Sequence, residues 1–186
     1  MASILDSVNQ RTQLVGQNRL ELLLFRLNGR QRFGINVFKV REVLQCPPLT
    51  VMPKLNSCIR GVAHIRGQTI SVIDLSMAMG KRPIQDISKC FIIISEYNRS
   101  VQGFLVHSVE RIINMNWESI LPPPKGAGRI NYMTAVTEVD GELVEILDVE
   151  RILNEISPVS TEVSAELVEA SVERNPHGRP VLVADD

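Results

Sequence analysis

The sequence predicts a mostly β fold in which two related small barrels pack together. Residues 20–147 contain short segments rich in branched and aromatic side chains, and Gly, Asn and Pro separate them. The pattern of these segments occurs twice along the chain. The composition, with 44% hydrophobic and 22% charged residues, is that of an ordinary globular protein.

The segments that favour strands are bounded by turn-forming residues, and their spacing is typical of an all-β barrel or sandwich. In chain order they are LELLLFRL, FGINVF, TISVIDL, CFIIIS, VQGFLVH, MTAVTEV and ELVEIL.

One short helix is predicted before the strands and one after them. Over residues 1–17, Ser3 and Asp6 resemble a helix start, and Gly16 can end the helix. Over residues 148–156, the apolar residues recur on one helical face. We therefore expect a short N-terminal helix and a short C-terminal helix.

The end of the chain has a different composition. Residues 157–179 are rich in Ser, Glu, Ala and Pro, which indicates a linker whose middle can be helical. Residues 180–186 have the sequence PVLVADD, an apolar strand that ends in Asp185 and Asp186. Because a lone strand is not a stable fold, we interpret it as the start of a further, truncated domain.

An internal repeat divides the strand region into halves of about 20–88 and 89–156. Aligning Gly34 with Gly103 places GINVFKVREVL over GFLVHSVERII. After an insertion in the second half, GQTISVIDL lies over GELVEILDV. Coincident glycine, proline and aspartate positions make chance similarity of apolar strands the weaker interpretation. Each half is large enough for a small barrel of about five strands.

The repeat also aligns two hairpin tips. The second tip is Asp140-Gly141, a strong signal for a two-residue turn because both residues tolerate positive φ. The first tip is Arg66-Gly67, where the glycine supplies the backbone freedom. Arginine is not a turn former, so Arg66 needs another explanation.

A charge partner is the explanation we favour. In the alignment Glu42 lies over Arg111, and Arg66 lies over Asp140, so each half has an opposite pair with the signs reversed. We predict that the two members of each pair meet in space. An exposed pair contributes only about 0–1 kcal/mol, so we expect it to hold an arginine for a partner's carboxylate.

The apolar turn between the second and third strands has two possible environments. Val37, Phe38 and Val40 either face outward, where a partner can bind them, or are buried between the barrels.

The sequence contains no recognisable catalytic motif. Asp74 and Asp148 end equivalent strands just before predicted helices, which favours helix caps over paired catalytic carboxylates. We predict that the protein is not an enzyme and uses no cofactor or metal.

The composition also disfavours several partners and compartments. Net charge is −1 and aromatic residues are 4%, which disfavours nucleic-acid binding. No segment approaches about 18 consecutive apolar residues, so we expect no direct membrane insertion. Cys46, Cys58 and Cys90 are predicted to be buried free thiols of a reducing, cytoplasmic environment.

Several spaced motifs of residues 20–156 resemble the CheW family of bacterial chemotaxis coupling proteins. They are FGINVFKVREVL, CIRGVAHIRGQTISVIDL, VQGFLVHSVERI, ILPPP and GELVEILDVERIL. Two positions depart from the family pattern: His64 replaces the usual Asn, and His107 the usual Asp.

The resemblance implies two five-stranded SH3-like barrels, and it leaves open whether the first strand is exchanged between them. It also implies an adaptor that bridges the cytoplasmic tips of chemoreceptors to the regulatory domain of the chemotaxis histidine kinase, at membrane-associated receptor arrays. By the same resemblance the partner surface comprises Val37, Val40, Glu42, Arg66 and Gly67.

The flanking segments QLVGQNRLELLLFRL and RPVLVADD resemble the CheV type within this family. Such proteins add a phosphate-accepting receiver domain, in which Asp185 and Asp186 would form the acidic pair that binds Mg²⁺. The alternative function is a regulatory barrel that binds a small molecule or a peptide.

Overall fold

The structure, a computed structural model, describes residues 19–125 and 132–156. Within these ranges it contains ten strands and two α-helices. The elements are β1 (Arg19–Arg26), β2 (Arg32–Asn36), β3 (Val40–Gln45), β4 (Ile59–Ile65), β5 (Gln68–Asp74), α1 (Leu75–Ala78), β6 (Phe91–Tyr97), β7 (Ser100–Val106), β8 (Ser108–Asn116), β9 (Met133–Val139), β10 (Glu142–Leu147) and α2 (Val149–Ile156).

Three predictions fall on other parts of the chain. The helix predicted over residues 1–17, the linker over 157–179 and the strand over 180–186 lie outside the described residues. The predicted C-terminal helix is confirmed as α2. Of the residues described, none belongs to a helix long and apolar enough to cross a membrane.

The strands form two five-stranded sheets, and each sheet closes on itself. In barrel 1 the strand order is β3-β6-β7-β5-β4, and in barrel 2 it is β8-β1-β2-β10-β9. A bridge between Thr50 and Val62 joins the chain after β3 to β4. A bridge between Leu121 and Val136 joins the chain after β8 to β9. The predicted class, mostly β with two five-stranded barrels, is confirmed.

The two halves of the repeat exchange their first two strands. β1 and β2, from the first half, pair with β8 and β10 in barrel 2. β6 and β7, from the second half, pair with β3 and β5 in barrel 1. Each exchanged hairpin stays together because an antiparallel ladder joins its two strands. The halves 20–88 and 89–156 therefore do not each close a barrel alone.

The first strand of each half is buried on both faces. Leu22, Leu24 and Phe25 of β1 are fully buried, as is Ile92 of β6. Successive residues of a strand point to opposite faces, so such continuous burial means that both faces are covered. Each of these side chains contributes about 1.5–3 kcal/mol of transfer free energy.

Polar contacts join barrel 2 to the segment that follows β5 of barrel 1. The Asn28 side-chain amide, in the loop between β1 and β2, donates to the Arg82 carbonyl at 2.8 Å. The Lys81 ammonium lies 4.9 Å from the centroid of the Phe33 ring. Both barrels belong to one compact unit that ends at Ile152.

β3, β4 and β8 were not among the seven segments that the residue pattern predicted as strands. In β3, half-buried and exposed residues alternate along VREVLQ, so it has no continuous apolar run. The half-buried positions include Glu42, a charged residue that the pattern does not associate with a covered face. Period-two alternation was the available signal for this strand.

The predicted helix caps are confirmed. The Asp74 carboxylate accepts from the backbone N–H of Met77 at 3.1 Å, at the start of α1. The Asp148 carboxylate accepts from the backbone N–H of Glu150 at 3.0 Å, at the start of α2. Asp74 is fully buried and also accepts from Arg60 at 2.8 Å. These bonds explain both aspartates without a catalytic role.

Candidate partner-binding site

The tip of the β4–β5 hairpin has the backbone of a two-residue turn with positive φ. Arg66 has φ of 51° and Gly67 has φ of 78°. The equivalent residues of the β9–β10 hairpin, Asp140 and Gly141, have φ of 54° and 75°. Placing an arginine in this left-handed region of backbone conformation costs about 1 kcal/mol, whereas aspartate adopts the same conformation more readily. The backbone conformation at this position therefore does not favour an arginine, and the presence of Arg66 needs another explanation.

The charge pairs predicted from the repeat are confirmed in both barrels. The Arg66 guanidinium donates to the Glu42 carboxylate at 2.5 Å, and Arg111 donates to Asp140 at 2.5 Å. The Arg66 side chain is 77% exposed and that of Glu42 is 26% exposed. Glu42 thus holds one edge of a guanidinium whose other donors face outward.

Val37 begins a single 3-10 turn after β2, and Val40, the first residue of β3, directly follows that turn. Both are half-buried, whereas Phe38 between them is 84% exposed. The carboxamide of Asn36 accepts from the Phe38 backbone N–H at 3.0 Å and fixes this turn. Of the two environments left open by the sequence, the outward one holds for Phe38, while Val37 and Val40 are only partly covered.

Glu42 and Arg66 stand at the rim of a small cavity at one end of barrel 1, which we call the barrel-1 mouth. Its volume is about 170 Å³. Its polar lining is Arg41, Glu42, Arg66 and Gln68, and its apolar lining is Ile65, Ile70, Ile94 and Val101. Neither Val37 nor Val40 is among these lining residues.

Sequence reasoning missed most of this lining. Ile65 could have been predicted, because it is the last residue of β4 and directly precedes Arg66. Val101 and Ile94 could not, since they belong to the exchanged hairpin β6–β7, which the repeat assigned to the other half.

The corresponding end of barrel 2, the barrel-2 mouth, carries a network of six charged side chains. They are Arg26, Arg32, Glu110, Arg111, Asp140 and Glu142. Burial opposes the charged form of Glu110, but hydrogen bonds from Arg26 and Arg32 outweigh burial and hold its pKa below the usual range.

A larger groove lies beside the β2–β3 connection, and we call it the crossover groove. Its volume is about 420 Å³. Leu20, Ile120 and Ile146 supply apolar wall, and Trp117, half exposed, stands at the edge. Lys39 and Glu150 also line it and form a salt bridge with each other.

The described residues show no arrangement with evident chemistry. They contain no group of three or more His, Cys, Asp or Glu side chains that could hold a metal ion. Cys46 and Cys90 are buried free thiols, and Cys58 is half-buried. Burial raises the pKa of Cys46 to about 11, so its thiol is protonated at neutral pH.

Comparisons with known proteins agree on one family. The family model described as CheW-like domain matches residues 21–157. The chain is 29% identical over 143 residues to a probable chemotaxis protein CheW from Rhizobium etli, covering 76% of this chain and 92% of that protein. It is also 35% identical over 153 residues to the chemotaxis protein CheV3 from Helicobacter pylori, covering 75% of this chain.

The same chain spans 49% of the length of CheV3 and 55% of the length of CheV1 from the same organism. Among solved structures, the scaffolding protein TtCheW from Thermoanaerobacter tengcongensis matches with a TM-score of 0.64 and 26% identity. That match covers 69% of this chain and 88% of TtCheW.

Proposed function

This chain belongs to the CheW-like domain family, and from that membership we propose that it is a non-enzymatic adaptor between chemoreceptors and the chemotaxis histidine kinase. The adaptor acts in the cytoplasm, at membrane-associated receptor arrays. One observation above all supports a partner-binding role: Arg66 occupies a strained hairpin position and presents a 77% exposed guanidinium that Glu42 orients.

The barrel-1 mouth is the proposed contact for the regulatory domain of the kinase. Arg66 offers a planar fork of donors that matches a carboxylate, which gives geometric specificity at an exposed site. Gly67 allows the turn, and Val37 and Val40 add partly exposed apolar surface at the start of the strand that carries Glu42.

The crossover groove is the proposed contact for the receptor tip. A helical hairpin presents apolar residues at helical spacing, and such stripes bind apolar grooves. Leu20, Ile120 and Ile146 supply the apolar wall, and Trp117 supplies a large amphipathic side chain at the edge.

Phosphorylation is the proposed control of this coupling. The end of the sequence resembles the first strand of a receiver domain, with Asp185 and Asp186 as its acidic pair. In a protein that carries the complete receiver, phosphoryl transfer to that domain would tune how the barrels bind receptor and kinase.

Co-sedimentation with membranes that carry receptor and kinase tests this proposal. We expect Arg66→Glu to fold normally and to lose most of its co-sedimentation, because a carboxylate there repels both Glu42 and the partner's acid. Arg99→Glu is the matched control, since Arg99 also lies at a hairpin tip of barrel 1 with positive φ. Adding Glu42→Arg to Arg66→Glu should partly restore binding. Unchanged sedimentation of the single variant would contradict the proposed surface.

A small-molecule or peptide-binding regulatory barrel is the second candidate. The crossover groove has a volume of about 420 Å³, within the range of ligand pockets. A thermal-shift screen against metabolites separates the two functions, because a ligand that binds the folded state raises the melting temperature and an adaptor should show no such response.

A further inference from the structure

Strand register fixes which residues of the two mouths are equivalent. Arg26 pairs with Arg32 across β1 and β2, next to the loop of that hairpin. Glu96 pairs with Val101 across β6 and β7, at the same place in the equivalent hairpin. Arg26 of barrel 2 therefore corresponds to Glu96 of barrel 1, and Arg32 corresponds to Val101.

This correspondence reveals a second pair whose signs are reversed between the barrels. In barrel 2, Arg26 forms a salt bridge with Glu110. In barrel 1, Arg41 forms a salt bridge with Glu96 at 3.2 Å. Together with the pairs of Arg66 and Arg111, all four charged rim positions of barrel 1 have a counterpart of opposite sign.

The centres of the two mouths differ. In barrel 2 the Arg32 side chain, only 15% exposed, lies 3.0 Å from Glu110 and 3.3 Å from Glu142. The barrel-1 equivalents of Arg32 and Glu142 are the uncharged residues Val101 and Gln68. The salt bridges that Arg32 makes in barrel 2 are thus missing from barrel 1, where a cavity of about 170 Å³ lies among the equivalent residues.

The walls of this cavity are apolar and its rim is charged. Ile70 and Ile94 are buried, and Ile65 and Val101 are half-buried beside them. A cavity of about 150 Å³ can hold a benzene ring, so this one has room for a leucine, methionine or phenylalanine side chain. Interface hot spots are typically side chains of this kind in desolvated pockets.

The rim indicates what stands next to such a side chain. Arg41, Glu42 and Arg66 line the cavity, and Glu96, the fourth charged rim residue, is already paired with Arg41. Because Glu42 already occupies one edge of Arg66, a carboxylate from the partner is the complementary group for the exposed remainder.

We propose that the barrel-1 mouth is an anchor subsite for one apolar side chain of the kinase regulatory domain, with an adjacent partner carboxylate bound by Arg66. Arg32 closes barrel 2 to the same kind of anchor, so the two mouths discriminate between partner surfaces. This inference rests on the proposed adaptor function and names the chemistry of its kinase contact.

Val101→Glu tests the inference because it reproduces the closed barrel-2 mouth with the charges reversed. The new carboxylate lies where Arg41 and Arg66 supply opposite charges, just as Arg32 lies among carboxylates. We therefore expect the variant to fold. Ser100→Glu is the matched control, since it adds the same charge at an exposed position one residue away. Val101→Met fills the cavity without adding charge and serves if the glutamate variant does not fold.

The first measurement is the affinity for the purified kinase regulatory domain. We expect Val101→Glu or Val101→Met to weaken binding by at least about tenfold, while Ser100→Glu stays within about twofold of the parent. Parent-like affinity of the filled variants would overturn the subsite and leave the adaptor function intact.

The second measurement needs no kinase. Isoleucine methyl resonances are recorded while N-acetyl-leucinamide is added as a probe. Saturable shifts at Ile65, Ile70 and Ile94, lost in Val101→Glu, would support the subsite even if the parent did not bind the kinase, in which case the proposed function alone fails. Absence of shifts in the parent would overturn the subsite.

Discussion

The guanidinium of Arg66, at the tip of the β4–β5 hairpin, donates to the carboxylate of Glu42 on β3. The backbone of Arg66 has φ of 51°. The bond length is 2.5 Å, yet the arginine side chain is 77% exposed. An exposed pair of this kind contributes about 0–1 kcal/mol, which roughly offsets the strain of the left-handed backbone. The pair therefore adds little to folding, and the proposed role of Arg66 is to present an oriented guanidinium to a partner.

Replacing Arg66 by asparagine should separate stability from binding. Asparagine tolerates positive φ, so we expect the free energy of unfolding to stay within about 1 kcal/mol of the parent. Co-sedimentation with receptor–kinase membranes should fall sharply in the same variant. Urea denaturation measures the first quantity, and a loss of stability above about 2 kcal/mol would show that Arg66 is structural.

Gly67→Ala should lower stability although the added methyl group has open space around it. Beyond Gly67 and its two chain neighbours, no atom lies within 4 Å of the position that a Cβ at Gly67 would occupy, so the cost comes from φ of 78°. We expect a loss of about 1 kcal/mol, and a similar loss for Gly141→Ala at the equivalent tip. Denaturant titrations of both variants check this, and a neutral result at either tip would contradict the turn assignment.

The two equivalent helix caps should differ in strength. Asp74 is fully buried and accepts from Met77, Ile84 and Arg60, so Asp74→Ala should cost about 3–5 kcal/mol. Asp148→Ala removes a cap at the start of α2 and a largely exposed salt bridge with Arg151, so it should cost about 1–2 kcal/mol. Calorimetric unfolding of the pair measures the gap, and equal losses would argue against the buried network.

The charged network of the barrel-2 mouth should make the free energy of unfolding depend on pH in the acidic range. Hydrogen bonds from Arg26 and Arg32 outweigh burial and depress the pKa of Glu110 below its ordinary value of 4.5. Its stabilisation is therefore fully present above about pH 4.5 and is lost as pH falls through the lower folded-state pKa.

Comparing the stability of the parent protein with that of the Glu110→Gln variant isolates this effect. The parent should be the more stable at pH 7, and the difference should shrink as the pH falls below about 4.5. Melting temperatures between neutral and acidic pH test this. A difference that is independent of pH would show that Glu110 is not stabilised as an anion.

The three thiols should react at different rates. Cys46 and Cys90 are buried, and burial raises the pKa of both thiols, whereas Cys58 is half-buried. At about pH 8 a disulfide reagent such as Ellman's reagent should modify Cys58 first. Peptide mapping identifies the modified residue, with urea-unfolded protein as the control in which all three react. Fast modification of Cys46 in the folded protein would contradict its burial.

Much of the candidate site was predictable because the repeat allowed residues far apart in sequence to be compared. Glu42 and Arg66 were paired on the strength of reversed signs at Arg111 and Asp140, and both pairs form. The repeat also places Arg41 over Glu110, but the second half of this reversed pair, the equivalence of Glu96 and Arg26, was recognisable only from strand register. Extending the same alignment two residues upstream places Val101 over Arg32, but the sequence does not show that these positions lie at the mouths of the two barrels.

The residue pattern by itself determined the mostly β class, the hairpin tips, the helix caps and the repeat, because each depends on side chains close in sequence or on similarity between segments. Only the tertiary structure decided which hairpin entered which barrel. A hairpin's own hydrogen bonds are the same wherever it packs, so exchange of β1–β2 for β6–β7 leaves no local trace. That exchange places Val101 and Ile94 beside Arg66, and so it creates the cavity on which the proposed anchor depends.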